Sequence, residues 1–192
     1  MTSPMTLLAP LFSRHSTPSR LLAEPGPDRD QLAALLAAAV HVPDHGKLTP
    51  WRFIRIHGPA RARLGEQLAI RQRERDPGAP QAVIDKDRER FNFAPLVITV
   101  VACLTPGHKV PEQEQLLSAG CVCFSLLQAA QALGFGAQWL TGWAAYDPQI
   151  TQSLGLGEDE RIIGFIHIGT AREAAPERPR PDPIQRMVDW VG

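Results

Sequence analysis

The chain has 192 residues, 44% of them apolar and 21% charged, an ordinary globular composition long enough to bury a core. Lysine plus arginine and aspartate plus glutamate stand at 20 each, so net charge argues against a nucleic-acid or anionic-membrane partner. Any anion site must be assembled locally from a few residues. No apolar run approaches the roughly 18–20 residues that cross a bilayer, and the N-terminus lacks the basic start and cleavage signal of a secretory leader. The three cysteines, Cys103, Cys121 and Cys123, are odd in number and sit in apolar segments. The expectation is packing roles for all three in a reducing cytoplasm.

Met5 to Ser13 can form a short first helix that leads into Arg14-His15-Ser16. Leu21 to Pro27, with two prolines and a glycine, reads as a loop. Asp28 then serves as an N-cap with Gln31 at the third helical position, and the spacing of Leu32, Leu35, Leu36, Ala39 and Val40 predicts a helix to about Val42. Pro43 stops it, and Pro43 to Pro50 is a punctuated loop of the kind that carries binding residues. Trp51 to His57 alternates as a strand, Pro59 starts a helix, and the polar stretch Arg71 to Arg90 reads as a solvated helical excursion. Leu96 to Cys103 is β-branched and apolar on both faces, which predicts a central strand.

Glu112 to Leu133 is the longest helical pattern, with Phe124 and Leu126 to Leu133 as core residues and Gly134 as its C-cap. Ala137 to Trp143 and Arg161 to Ile168 read as strands, with a short helix from Pro148 to Leu154 between them. Beyond Gly169 the run AREAAPERPRPDP cannot pack as a core element. The tail, from about residue 171 and ending in Met187, Val188 and Trp190, suits an arm laid over a partner subunit. The pattern amounts to one α+β domain spanning residues 1–192.

Common nucleotide and hydrolase motifs are missing. Gly134-Phe135-Gly136 follows a helix rather than a strand and lacks the third glycine of a dinucleotide fingerprint, and Gly155-Leu156-Gly157 fails in the same way. His41 and His45 lie four apart, but Pro43 breaks the helix that would make them a metal pair, so no metal site is assigned. Asp44 and His45 are adjacent and so do not face each other as an acid–base pair. His57, His108 and His167 stand in ordinary strand or loop contexts. Arg14, His15, Ser16 and Arg20 lie within seven residues and suit a phosphate ester: guanidinium forks, a hydroxyl donor and nearby backbone N–H groups. The same residues also read as a solvated basic turn.

Taken together, Arg14-His15-Ser16-Thr17, Leu22-Ala23-Glu24-Pro25, Pro43-Asp44-His45, Thr49-Pro50-Trp51-Arg52-Phe53, Ser118-Ala119-Gly120-Cys121 and Gly134-Phe135-Gly136 leading to Trp139 resemble the short branch of the nitroreductase family. The match is collinear from about residue 7 to about residue 170. It implies an α+β nitroreductase-like fold: a central, mostly antiparallel sheet flanked by helices, an extended C-terminal arm, and a homodimer holding FMN non-covalently in two interfacial clefts. Arg14 and Ser16 match positions that hold the FMN phosphate, and His15 matches one at the flavin's polar edge. His41 and His45 match positions offered from the partner subunit. Trp139, Leu140 and Thr141 match the segment along the isoalloxazine, where a main-chain N–H can bond N5. Ala129, Ala130, Gln131, Ala132, Leu133 and Gly134 match a stretch tied to nicotinamide-nucleotide binding.

Between Ser16 and Leu22 the chain is longer than the family pattern, which leaves the role of Arg20 open. Lys47 and Thr49 stand where many members carry Asn and Gln, so substrate preference does not carry over. By charge and position, Arg178 and Arg180 are candidates for further phosphate contacts. The implied activity moves a hydride from NADH or NADPH through flavin N5 to nitro compounds, quinones or similar small electrophiles. No catalytic side chain is needed, because the cofactor carries the chemistry; Arg20 or His15 would stabilise charge at N1/O2. The alternative is a flavin-binding or flavin-sequestering protein with little turnover. A flavin-free interaction protein is opposed by the intact Arg14, His15 and Ser16.

Overall fold

The computed structural model describes residues 4–175 and 177–192. In chain order the elements are α1 (Pro4–Leu7), α2 (Ala9–Phe12), β1 (Leu22–Ala23), α3 (Arg29–Ala39), β2 (Trp51–His57), α4 (Pro59–Arg75), α5 (Gln81–Glu89), β3 (Leu96–Cys103), α6 (Glu112–Ala132), β4 (Gly136–Leu140), α7 (Pro148–Ser153) and β5 (Glu160–Ala171). All strand pairs are antiparallel, in the order β1-β5-β3-β2 with β4 also paired to β5. β5 is therefore the hub of the sheet.

The β-branched run of β3 behaves as its sequence predicts, buried on both faces. On one side Ile98 and Val100, with Ile166 and Ile168 of β5, meet Leu35 and Ala39 of α3 and Val122 and Leu126 of α6. On the other side Val97 and Phe165 meet Leu64 and Leu68 of α4, together with Phe91. Each fully buried Leu, Ile or Phe contributes roughly 1.5–3 kcal/mol, so these two layers hold the sheet between its helices. α3 begins on the expected capping box: Gln31 N–H donates to Asp28 Oδ1 at 2.8 Å, and Asp28 N–H donates to Gln31 Oε1 at 3.0 Å.

Some boundaries differ from expectation. The first helix is divided at Leu8 into α1 and α2. Leu22–Ala23, inside the expected loop, pairs with Ala171 and Thr170. β4 stops at Leu140, because the left-handed Gly142 turns the chain into a 3-10 turn over Trp143–Ala145. The excursion is less solvated than its polarity suggests: Ile84 and Asp87 of α5 are buried against the body. α6 is long and apolar enough to span a bilayer, yet Val122, Cys123, Leu126 and Ala130 pack into the core. Its apolar character runs all round but the sheet covers only one side, so Phe124 and Leu133, expected in the core, are exposed, as is Leu117. Of the cysteines, all free, only Cys123 is fully buried; Cys103 and Cys121 are partly covered.

Candidate functional site

The segment leaving α2 threads between the C-terminal end of α6 and the edge of β4. Gln131 of α6 ties it at two points, its Nε2 donating to Ser13 Oγ at 2.9 Å and its Oε1 accepting from His15 N–H at 3.4 Å. Further on, Thr17 N–H donates to the Ala137 carbonyl at 3.0 Å and Ser19 N–H to Gln138 Oε1 at 2.6 Å. Gly136 permits this approach, since a Cβ there would sit 2.8 Å from a Leu22 methyl carbon and 2.9 Å from Thr17 Oγ1. Arg14-His15-Ser16 is thus a held segment rather than a free turn.

The C-terminal tail returns to this segment. Arg180 Nη2 donates to the Arg14 carbonyl at 3.0 Å. Phe12, Arg14, His15 and Ser16 share a cavity of about 400 Å³ with Glu177, Arg178 and Arg180. Among the described residues none of the three arginines is in an ion pair. Burial lowers the Arg14 guanidinium pKa, and the charges of Arg180 and Arg178 lower it further. Three clustered cations with one carboxylate nearby form a site that an anion would stabilise.

Beyond Ala137, backbone groups of β4 alternate between β5 and the outside. Because the Ala137 carbonyl faces out to Thr17, the same alternation turns the Trp139 backbone away from β5. The Trp139 indole lies against Gly164, with its Nε1 donating to the Ile163 carbonyl at 3.0 Å. That carbonyl is available because the β3–β5 register shifts there: Val100 pairs with Gly164 and Val101 with Ile162, leaving Ile163 as a bulge. Leu140 and Thr141 are half-buried.

The loop after α3 is held in an unusual shape. Gly46, Lys47 and Thr49 have φ of 74°, 54° and 47°, and a β-branched residue rarely adopts such a value. The Asp44 carboxylate holds the shape by accepting from Leu48 N–H at 3.1 Å and Thr49 N–H at 2.8 Å. Both of its oxygens are engaged there, so Asp44 is not an acid–base partner for His45. His45 instead has Nδ1 2.6 Å from Glu114 Oε2 of α6, and Ser118 Oγ donates to the Pro43 carbonyl at 2.6 Å.

Arg14, His15, Ser16, Arg178 and Arg180 are thus brought together, and Trp139, Leu140 and Thr141 stand at the adjoining strand. His41 and His45 are exposed on the α3–β2 loop, and neither lines the arginine cavity. Arg20 is exposed on a 3-10 turn over Ser19–Leu21 and does not line it either. In the stretch from Ala129 to Gly134, Ala129, Gln131 and Ala132 border a groove with Ala9, Ser13 and Ala38, Leu133 and Gly134 are exposed, and Ala130 is fully buried in the core. Gln131, Gln138 and Glu114 act here as supports that no local motif announced, because each works on a segment distant from it in the chain.

His167 and Cys103 are among the further groups with displaced ionisation. His167 is fully buried, stacked on Phe91 at 5.5 Å, and among the described residues neither ring nitrogen has a hydrogen-bond partner. Burial, reinforced by the Arg90 charge, pushes its pKa down to about 4. Burial and then Glu160 push the Cys103 thiol up to about 11, which makes it a poor nucleophile.

A model described as the nitroreductase family matches residues 11–170. "Putative NAD(P)H nitroreductase YdjA" of Escherichia coli (strain K12) is 40% identical over 183 residues, covering 93% of this chain and 96% of its own. Among solved structures, the nitroreductase-like family protein from Bacillus cereus has a TM-score of 0.81 at 23% identity, covering 100% of both chains. A nitroreductase with bound FMN from Bacteroides fragilis NCTC 9343 has a TM-score of 0.71 at 20% identity, covering 98% of this chain and 100% of its own.

Proposed function

This chain belongs to the nitroreductase family, and from that premise we propose that it is an FMN-dependent oxidoreductase carrying hydride from NADH or NADPH, by way of flavin N5, to nitro compounds, quinones or similar small electrophiles. The observation that carries this reading is the cavity where Arg14, Arg178 and Arg180 converge, none of them in an ion pair among the described residues. A phosphate monoester brings nearly two negative charges and several acceptor oxygens, which suits three guanidiniums, the Ser16 hydroxyl and one opposing Glu177. FMN supplies the hydride chemistry when bound.

In this reading Arg14, Ser16, Arg178 and Arg180 hold the phosphate, and His15 and Arg20 serve the polar edge of the ring. The backbone of the segment Trp139 to Thr141 would give an N–H to N5, and the stretch Ala129 to Gly134, with Ala130 turned into the core, would border the nicotinamide nucleotide. His41 and His45 reach the flavin of a partner subunit. Support for a homodimer comes from apolar side chains left in water: Leu117 and Phe124 on α6, and Met187, Val188 and Trp190 on the tail. The free thiols suit a reducing compartment such as the cytoplasm.

The test is anaerobic titration of the FMN-loaded protein with NADH and then NADPH, followed by a nitroaromatic or a quinone. Bleaching by a nucleotide and recovery of colour with the acceptor are expected. Retained flavin that neither nucleotide reduces would replace this reading with the sequestering protein. Failure to retain FMN at all would end the flavin reading.

A further inference from the structure

The strained loop that carries His45 is pinned to α6 by two side chains one turn apart. Glu114 meets the His45 ring and Ser118 holds the Pro43 carbonyl, each at 2.6 Å. Positions four apart share a helix face, so both anchors rise from the same side of α6. The loop cannot relax away from them easily, since Asp44 holds two of its amides and three of its residues sit at positive φ.

The contact with Glu114 decides which nitrogen of the neutral imidazole carries the hydrogen. A carboxylate has lone pairs and no hydrogen to give, so Nδ1 must be the donor. In the neutral ring the hydrogen therefore sits on Nδ1, and Nε2 carries the free lone pair. Glu114 stands in the first turn of α6, where the positive end of the helix favours an anion. The His45 side chain is 64% exposed, which leaves the far side of the ring open to a ligand.

We propose that Glu114 is a positioning residue of the flavin site, holding the His45 proton on Nδ1 so that Nε2 is presented to the partner subunit's flavin as an acceptor. The inference rests on the FMN reading above, in which His45 reaches across the dimer. Oxidised flavin has one ring N–H, at N3, flanked by two carbonyls. An Nε2 lone pair matches that N–H, whereas the opposite tautomer would match a carbonyl. Glu114, acting through the His45 ring, thus selects which flavin atom His45 reads.

The experiment uses FMN-loaded protein labelled with nitrogen-15 in histidine, long-range proton–nitrogen NMR at mildly alkaline pH, and FMN binding by fluorescence. His45→Gln identifies the signal. In the parent protein, Nε2 of His45 is expected to be the unprotonated nitrogen. Glu114→Ala should move the hydrogen towards Nε2 and weaken FMN binding about three- to tenfold, the worth of one hydrogen bond. Glu114→Gln, whose amide oxygen can accept the same hydrogen, should keep both the tautomer and an affinity within about twofold of the parent. An unchanged tautomer or unchanged FMN affinity in Glu114→Ala would overturn the proposal. So would Glu114→Gln binding as weakly as Glu114→Ala, since the carboxylate would then act by its charge. A parent protein that does not take up FMN would instead sink the flavin reading itself.

Discussion

Replacing His167 with leucine should remove most of the loss of stability that the protein suffers between neutral pH and about pH 4. The imidazole is fully enclosed, stacked on Phe91, and among the described residues has no partner on either nitrogen. In the folded chain it stays neutral down to about 4, whereas once unfolded it takes a proton near its ordinary value of 6.5. Between those values the unfolded chain binds more protons, so stability is full above about 6.5 and falls as pH drops towards 4. At roughly 1.4 kcal/mol per tenfold, the loss reaches about 2 kcal/mol at pH 5 and about 3 kcal/mol near pH 4. Leucine is close in volume and leaves no unpaired nitrogens, so at pH 7.5 it should be neutral or stabilising by up to ~1 kcal/mol. The assay is urea unfolding followed by tryptophan fluorescence, at matched ionic strength and FMN concentration, from pH 7.5 down to 4.5. Glu160, held down to about 2 chiefly by its hydrogen bond from Arg52, sheds its contribution only as pH falls below about 4.5 and does not cloud the window. Parallel loss of stability in the parent and in His167→Leu across that range would refute the argument.

If the phosphate sits where proposed, Arg14→Ala and Arg180→Ala should each weaken FMN binding by about 10–100-fold, since each would remove a charge-assisted contact. Titrations in which both bind FMN like the parent would place the phosphate elsewhere. Gly164→Ala puts a carbon where the Trp139 indole nitrogen lies, 2.0 Å from the new Cβ, so the indole must leave its bond to Ile163. A shifted Trp139 emission with loss of stability on the order of 1–3 kcal/mol is the expected result, and a crystal structure with the indole unmoved would contradict it. Asp28→Ala removes the α3 capping box and should cost about 1 kcal/mol in urea unfolding, whereas a cost below the error of the measurement would show the cap to be idle.

The parts of this protein that were legible in its sequence are those governed by neighbours along the chain. The capping box of Asp28 and Gln31, the strand Trp51–His57, the doubly buried strand Leu96–Cys103 and the long helix ending near Gly134 all follow from local spacing. Arg14, His15 and Ser16 could be picked out as a candidate anion site because they lie side by side. The return of Arg178 and Arg180 to Arg14 was suggested by charge alone, and the path of the tail brings it about.

Other features depend on segments far apart in the chain. Periodicity marked α6 as apolar all round but could not say which side meets the sheet, so Phe124 and Leu133 looked like core and are exposed. Nothing near Glu114 marks it as the partner of His45, 69 residues away. The bulge at Ile163 that accepts the Trp139 indole exists only once β3 and β5 have paired. His167 resembles any strand histidine until Phe91 closes over it. Hydrophobic spacing and caps act within a turn or two of the chain and so were fixed by sequence alone. Burial, ion pairing and displaced ionisation depend on what the folded surroundings exclude or supply, and only the tertiary structure decided those.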